Sequence, residues 1–322
     1  SNPVARDKED EPLTDIVLEE HKDQTPPRWK PSGVSWSWRD FLHFAGPGWF
    51  VSIAYVDPGN YQADIQVGAL SGYRLLWTVL WTSVLSIYVQ VLCVRLAVYA
   101  QVTLAEVQSQ QLSRYPRYLA WFIAELSAVL TDLPEVIGIG IACNVFFGVE
   151  YWVGVVLSLI TTMLFLATLQ YGLSTVESIV FLFVVCMSIA LFIESWFVGV
   201  NSGDLMKGLT IDAVHTKSSD LFAVTGILGA VVMPHNLYLH TATCQSRRVE
   251  RTEEAVKQAV RYASWEPVVP ILFSVLVNMS IVSIAAETVR GTANADFVGL
   301  TDFCNYFKTL QGGCFLWGVA LT

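Results

Sequence analysis

Apolar residues in this chain are gathered into long runs that short polar segments separate. Several runs reach the roughly 18 residues that indicate a membrane-crossing helix, for example 152–169 and 179–200. The pattern predicts an all-α polytopic membrane protein with seven complete spans and part of an eighth. The predicted spans are 41–68, 75–99, 118–146, 151–170, 177–200, 221–244, 264–287 and a last one that starts near 305.

Two of these spans contain a helix-breaking motif. The first span has Asp57-Pro58-Gly59-Asn60, and the sixth has Met233-Pro234-His235-Asn236. Because the two spans are five apart, they cross the membrane in opposite directions, as expected of an inverted repeat with a discontinuous helix in each half. We predict a flexible N-terminal tail over residues 1–40, a first repeat over 41–200 and an incomplete second repeat over 221–322.

Composition supports a membrane protein. The chain is 53% hydrophobic and only 15% charged, against about 25% charged residues in soluble domains. The net charge of −9 excludes a nucleic-acid partner, because phosphate binding needs a basic face. The chain begins with Ser and ends inside an apolar run, so we expect a fragment of a longer protein. The six cysteines lack CxxC spacing and are expected to be buried free thiols.

Basic residues predict the orientation, because cytoplasmic loops near span ends carry an excess of Lys and Arg. Apart from the tail, eight basic residues lie on the tail's side of the membrane and five on the other. The eight are Arg95, Arg114, Arg117, Arg247, Arg248, Arg251, Lys257 and Arg261, and the five are Arg74, Lys207, Lys217, Arg290 and Lys308. The N-terminus is therefore predicted to be cytoplasmic.

The motif in the first span has the chemistry of a cation site. A carboxylate such as Asp57 is costly inside a membrane and usually faces a polar path or a partner. Pro58 removes a backbone donor and Gly59 tolerates unusual dihedral angles, so the helix should unwind and leave carbonyl oxygens free. Together with the oxygens of Asp57 and Asn60, these carbonyls can hold a cation. The alternative is a turn between two short helices.

The motif in the sixth span adds a soft ligand. Met233 supplies a thioether, and a set that mixes sulfur with hard oxygens suits a borderline transition metal better than calcium or magnesium. Core packing is the alternative for this methionine. His235 is either a third ligand, a proton carrier with an unperturbed pKa of about 6.5, or a structural histidine.

The third span carries three carboxylates along one helical face, Glu125, Asp132 and Glu135. Rows of this kind inside a membrane mark proton or ion relays. Pairing of the carboxylates with a basic residue such as Arg247 is compatible with that role. Pro134, between Asp132 and Glu135, predicts a kink in this span.

These motifs resemble the NRAMP (natural-resistance-associated macrophage protein) family. The resemblance rests on the two break motifs, on the extension of the second to His240, and on Thr131-Asp132-Leu133-Pro134-Glu135-Val136-Ile137-Gly138. It covers the chain from about residue 44 to its end. It implies a LeuT-like fold and proton-coupled import of divalent metals, chiefly manganese and iron(II), by alternating access. The long acidic N-terminal tail suggests a eukaryotic protein in the plasma membrane or an endolysosomal membrane.

The resemblance also implies roles for individual residues. The metal would be held by Asp57, Asn60 and the Met233 sulfur, with the carbonyls of Ala54 and Ala230 contributing in different conformations. The proton pathway would use Asp57, Glu125, Asp132, Glu135, His235 and Arg247. No permanently bound cofactor is expected, because metal ions and protons are the transported substrates. The alternatives are a magnesium-importing relative and a non-transporting metal sensor of the same fold; no motif supports an enzyme.

Overall fold

The computed structural model describes residues 29–31, 36–44, 53–168, 173–211, 218–245, 249–250, 252–292, 298–307, 314, 317–318 and 321. Within these ranges the regular structure is helical, apart from one isolated parallel β-bridge between Trp29 and Val249. The all-α architecture predicted from the apolar runs is therefore confirmed.

The helices follow the predicted spans closely. They are α1 (Trp38–Phe44), a 3-10 turn (Ile53–Tyr55), α2 (Pro58–Ser71), α3 (Leu76–Arg95) with a π-helical end (Leu96–Ala100), α4 (Leu104–Gln111), α5 (Arg114–Phe147), α6 (Tyr151–Thr168), α7 (Leu173–Val198), α8 (Ser202–Gly208), α9 (Ser218–Val231), α10 (Pro234–Gln245), α11 (Glu253–Trp265), α12 (Val268–Thr288) and α13 (Leu300–Phe307).

Both predicted helix breaks are present. The 3-10 turn ends at Tyr55 and α2 begins at Pro58, while α9 ends at Val231 and α10 begins at Pro234. Each proline occupies the first position of its helix, where the missing N–H costs no helical hydrogen bond. In contrast, α5 continues through Pro134.

Four described stretches are long and apolar enough to cross a membrane, Pro58–Ala100, Arg114–Phe147, Ser219–Gln245 and Glu253–Thr288. A fifth is added if α7 and α8, bent by 116° at residues 199–201, form one span. The first stretch contains both α2 and α3, which the sequence assigns to separate spans. The described part of the chain thus has the apolar helices of an integral membrane protein.

Helix α2 lies at the centre of the bundle, between α12 and α9. A Cβ at Gly68 would overlap the Val282 carbonyl and the Ala285 side chain, so the backbones of α2 and α12 touch there. Just past the C-terminal end of α2, the Tyr73 hydroxyl donates to Glu287, near the C-terminal end of α12, over 2.8 Å. Helices α2 and α12 are therefore parallel.

The C-terminal end of α2 is joined to α9 by a buried ion pair. Arg74 Nη2 lies 2.7 Å from Asp220 Oδ2, and the Ser71 hydroxyl donates to Asp220 Oδ1 over 3.0 Å. Asp220 is only 2% exposed. The ion pair and the Ser71 hydrogen bond compensate the burial of this carboxylate. They join α2, which follows the first break, to α9, which precedes the second.

At the opposite end of α2, part of the predicted tail is packed against α11. The Trp29 ring lies 4.9 Å from the Phe44 ring, and the Trp36 ring lies 4.8 Å from the Tyr262 ring. The Tyr262 hydroxyl also accepts the Ser37 N–H over 2.8 Å. Residues 29–31 and 36–40 of the predicted tail therefore lie within the described ranges, and Trp29, Trp36 and Ser37 among them contact the helices; the other residues of the tail lie outside those ranges.

The cysteine prediction is partly wrong. Cys93 and Cys244 are buried free thiols, as expected, whereas Cys143 and Cys186 are free thiols that are half-buried and exposed, respectively. Cys314 forms a disulfide bond instead. Sequence spacing alone gave no signal for it, because disulfide partners are set by the fold and not by their separation along the chain.

The close contact at Gly68 yields a prediction. Gly68→Ala places a methyl group against the α12 backbone and should lower the free energy of unfolding by about 1–3 kcal/mol. Gly226→Ala on α9 is the matched control, because the space around a Cβ there is open. Thermal unfolding of the two purified variants measures the difference; equal stability would show that α2 and α12 are not in backbone contact.

Candidate metal site

Asp57 sits at the first break as the N-cap of α2. Its Oδ1 accepts the Asn60 backbone N–H over 2.6 Å, and the side chain is 4% exposed. A carboxylate at this position satisfies an otherwise free N–H and interacts favourably with the positive end of the helix dipole. The local fold therefore holds this acid in the interior of the bundle.

Asn60 ties the two sides of the first break together. Its Nδ2 donates to Asp57 Oδ1 over 2.9 Å and to the Ala54 carbonyl over 3.0 Å. Pro58 has no N–H with which to bond that carbonyl, four residues earlier. One side-chain amide thus compensates the missing backbone donor and orients the carboxylate, so Asp57, Asn60 and Ala54 form one hydrogen-bonded unit.

The second break has a parallel construction. Pro234 cannot donate to the carbonyl of Ala230, four residues earlier. Met233 stands in the break itself and is 3% exposed. The two predicted carbonyl ligands, Ala54 and Ala230, are thus the ones that lose a helical partner to proline.

One cavity of about 410 Å³ joins the two breaks. Its wall includes residues from the first break, from the second break, and from α5, which packs across both. The lining residues are Asp57, Gly59, Ile123, Leu126, Ser127, Leu130, Thr131, Pro134, Gly229, Ala230 and Met233. The structure therefore brings Asp57, Met233 and Ala230 to the same cavity, as the sequence predicts for a metal site.

A second, larger cavity of about 590 Å³ lies on the other side of His235. His235 Nδ1 is 3.2 Å from the Ser127 hydroxyl, and its Nε2 is 3.4 Å from the Thr131 hydroxyl. Ser127 and Thr131 line the first cavity, whereas His235 lines the second. The histidine and two hydroxyls thus form a polar partition between the cavities.

The three carboxylates of the third predicted span are not gathered at one point. Glu125 lines the larger cavity and accepts the Trp121 indole N–H over 3.2 Å. Glu135 interacts electrostatically with Asp57 and with Asp132. All three side chains are exposed in this chain. Arg247, the predicted basic partner, lies outside the described residues.

Sequence reasoning missed a buried polar chain behind the first break. Gln90 Nε2 donates to the Tyr55 hydroxyl over 2.9 Å, Gln90 Oε1 is hydrogen-bonded to His240 Nδ1, and His240 Nε2 lies 3.4 Å from Glu266. Asn278 Nδ2 donates to the Tyr55 carbonyl over 2.9 Å. The available signal was a lone polar residue inside an apolar run, as at Gln90 and Asn278.

Within the described ranges, acidic and imidazole ligands alone do not make a metal site. Among the described residues, no three His, Cys, Asp or Glu side chains are close enough to share a metal ion. A cation in the smaller cavity would therefore use the Asp57 carboxylate with neutral donors, namely an amide or carbonyl oxygen and the Met233 thioether. Such a mixed set suits a borderline transition metal.

Comparison with known proteins agrees with this construction. The family described as natural resistance-associated macrophage protein-like matches residues 48–322. The chain belongs to the NRAMP family. The chain is 33% identical to the metal transporter Nramp2 of Populus trichocarpa over 296 residues, 88% of this chain and 54% of that protein. It is 35% identical to the protein Malvolio of Drosophila melanogaster over 271 residues, 83% of this chain and 46% of that protein.

The fold of NRAMP proteins is shared as well. The manganese transporter of Eremococcus coleocola, solved in complex with an aromatic bis-isothiourea substituted compound, superposes with a TM-score of 0.81 and 26% identity over 93% of this chain and 65% of that one. The chain thus has the LeuT-like fold with its two discontinuous helices and is an integral membrane protein. It spans about half the length of the curated relatives it matches.

The capping geometry predicts a difference in stability between two variants of this NRAMP chain at Asp57. Asp57→Ser and Asp57→Ala both remove the carboxylate, but serine keeps an oxygen that can cap α2. Asp57→Ser should therefore be more stable than Asp57→Ala by about 1 kcal/mol. Thermal unfolding of the two purified variants checks this, and equal stabilities would contradict the cap.

Proposed function

We propose that the protein of which this chain is part is a proton-coupled secondary transporter that imports divalent transition metals, manganese and iron(II), by alternating access. The observation that carries the proposal is the cavity shared by Asp57 at one helix break and Met233 at the other. A site between two discontinuous helices is where secondary transporters of this construction bind their substrates. The names of the relatives, metal transporters and a manganese transporter, support the same substrate class.

In this proposal the metal ion is bound by Asp57, Asn60, Met233 and, in different conformations, the carbonyls of Ala54 and Ala230. Asn60 donates both to Asp57 and to Ala54 in the present conformation, so its amide must rotate to offer its oxygen to a metal. The Met233 sulfur favours soft and borderline cations over calcium and magnesium.

Proton coupling follows from competition at Asp57. A proton on this carboxylate occupies the electrons that would otherwise bind the metal, so protonation weakens metal binding. Glu135 and Asp132 are within electrostatic reach of one another, and Glu135 of Asp57, which supports a proton route along α5. His235, between the cavities, and Glu125, beside the larger one, extend the proposed route; Arg247 completes it as its basic member.

The proposed setting is a plasma or endolysosomal membrane, with the N-terminus in the cytoplasm. The excess of Lys and Arg on the side of the N-terminal segment supports this orientation. The larger cavity lies between α4, α5 and α10, and its lining includes Arg117, one of the basic residues predicted to lie on the cytoplasmic side. It is the proposed exit toward the cytoplasm.

Transport is tested with the full-length gene product in proteoliposomes. We expect manganese uptake that rises when the outer medium is acidified, because the inward proton gradient then drives the metal. Asp57→Ala should abolish this uptake. Asp204→Ala is the control, because the Asp204 side chain is 47% exposed and its partners among the described residues are Lys207 and Asn201. Metal binding in calorimetry without uptake by the wild type would instead favour a sensor.

The thioether is tested by selectivity. Met233→Ala should keep part of the manganese uptake but lose discrimination against calcium and magnesium, because only oxygen ligands remain. Competition of these ions with manganese uptake measures the change, and Met206→Ala, at an exposed methionine, is the control. Unchanged selectivity in Met233→Ala would contradict a role for the sulfur and favour a magnesium-importing relative.

A further inference from the structure

A second buried carboxylate lies on α2 beyond the metal site. Asp64 is two turns along the helix from Asp57 and is 3% exposed. Its Oδ2 atom is buried, and no described residue donates a hydrogen bond to it. A buried carboxylate without donors is unfavourable unless its charge is neutralised.

Asn278 on α12 also has a buried oxygen atom that lacks a described hydrogen-bond donor. Its Nδ2 donates to the Tyr55 carbonyl, and this bond fixes which way the amide points. The Oδ1 atom is then left buried without a donor among the described residues. Asn278 is 2% exposed, so water does not reach the oxygen from the surface.

The packing of α2 against α12 places these two residues opposite each other. Gly68, one turn after Asp64, packs against Val282, one turn after Asn278. Because the two helices run in the same direction, a step of one turn back along both leads from the Gly68 contact to Asp64 and Asn278. Asp64 and Asn278, each with a buried acceptor atom that lacks a described donor, therefore occupy facing positions on this helix pair.

The charged groups around Asp64 do not supply a counter-ion. Within its own helix, Asp57 and Tyr61 interact with it electrostatically, and neither is a cation. Helices α9, α12 and α13 contain no Lys, Arg or His. The two arginines of α5, Arg114 and Arg117, lie in its first turn, far along the helix from Pro134, where α5 contacts α2. Helix α7 also contacts α2, through the Tyr61 hydroxyl and Met187, and it contains no Lys, Arg or His. The ionisable carboxylates on the elements packed against α2 are Asp220 on α9, Glu287 on α12, Asp302 on α13, Glu177 and Glu194 on α7, and Glu125, Asp132 and Glu135 on α5.

The cations described near α2 lie past its C-terminal end. Arg74 pairs there with Asp220, and the Arg290 side chain packs against Gly72. Neither is an ion-pair partner of Asp64. A single proton on Asp64 would satisfy both buried oxygen atoms, because it neutralises the carboxylate and turns one of the two acceptors into a donor.

We propose that Asp64 is a proton-binding site in the membrane interior, where the neutral acid donates its O–H to Asn278 Oδ1. The proton comes from water, and the only bond formed besides the O–H is this hydrogen bond. Since Asn278 also holds the Tyr55 carbonyl, the proton on Asp64 is linked to the unwound segment that carries Asp57. Its part in transport rests on the proposed function, in which it is separate from the proton that competes with the metal.

Infrared difference spectroscopy tests the proton directly on the reconstituted full-length gene product. Wild type minus Asp64→Asn should show the C=O stretch of a protonated carboxylic acid at neutral pH, with a shift in D2O. Glu287→Gln is the control, because Glu287 is exposed and its removal should take away a carboxylate stretch. A wild type minus Asp64→Asn spectrum with carboxylate bands alone would overturn the proposal.

A second variant tests the partner and does not depend on the folding of Asp64→Asn. Asn278→Leu leaves Asp64 in place but removes its acceptor, so the acid C=O band should move to higher frequency. Labelling the aspartate carboxyl groups with ¹³C assigns the band to an aspartate. An acid band that is the same in Asn278→Leu and in wild type would overturn the shared proton.

Manganese uptake by the same wild-type vesicles separates the two proposals. Uptake without an acid band assigned to Asp64 would overturn the inference about Asp64 alone. The opposite result is an acid band that Asp64→Asn removes, in vesicles that take up no manganese. It would support the proton site at Asp64 and contradict the proposed transport function.

Discussion

The structure depends on how backbone polar groups are satisfied where two helices stop inside the bundle. In a membrane interior no water is at hand to bond a free carbonyl, so each break needs a substitute donor. At the first break the substitute is the Asn60 amide, which bonds the Ala54 carbonyl and the Asp57 carboxylate together. The same three groups are the candidate metal ligands of that break. Structural compensation and the proposed ion binding therefore draw on one set of atoms, and a bound cation would replace hydrogen bonds that these three groups make with one another.

The helix breaks could be predicted because proline acts locally. Pro58 and Pro234 lack the N–H that a continuous helix needs, whatever packs against them. Pro134 shows the limit of that reasoning, since α5 continues through it and gives up only the bond to the Leu130 carbonyl. Whether proline breaks a helix or is tolerated inside it depends on the packing around it. Gly138 leaves room for Pro58 against α5, and the Pro134 ring lies beside Gly59.

The site itself could be predicted in part. Asp57 and Met233 stand out as a carboxylate and a thioether next to helix breaks, and they do line one cavity. The three carboxylates of α5 share a helical face in sequence, but of the three only Glu125 lines one of the two cavities, whereas Glu135 interacts with Asp132 and with Asp57. Asp64, Asn278 and the pair of His240 with Glu266 were missed for a common reason. Periodicity indicates which face of a helix a polar residue occupies, but not which neighbouring helix that face meets.

The order of assembly is constrained by the contacts of the N-terminal segment. Ser37 bonds Tyr262, which lies 225 residues later in the chain, and Trp29 pairs with Val249 in the parallel bridge. These contacts close very long loops, and such contacts form late because the intervening chain must first be ordered. Trp29, Trp36 and Phe44 are among the first of the described residues to be synthesised, yet Tyr262, which all three contact, lies on α11. During synthesis, the contacts of this aromatic segment with α11 can therefore form only after the chain from α2 to α10 has been made.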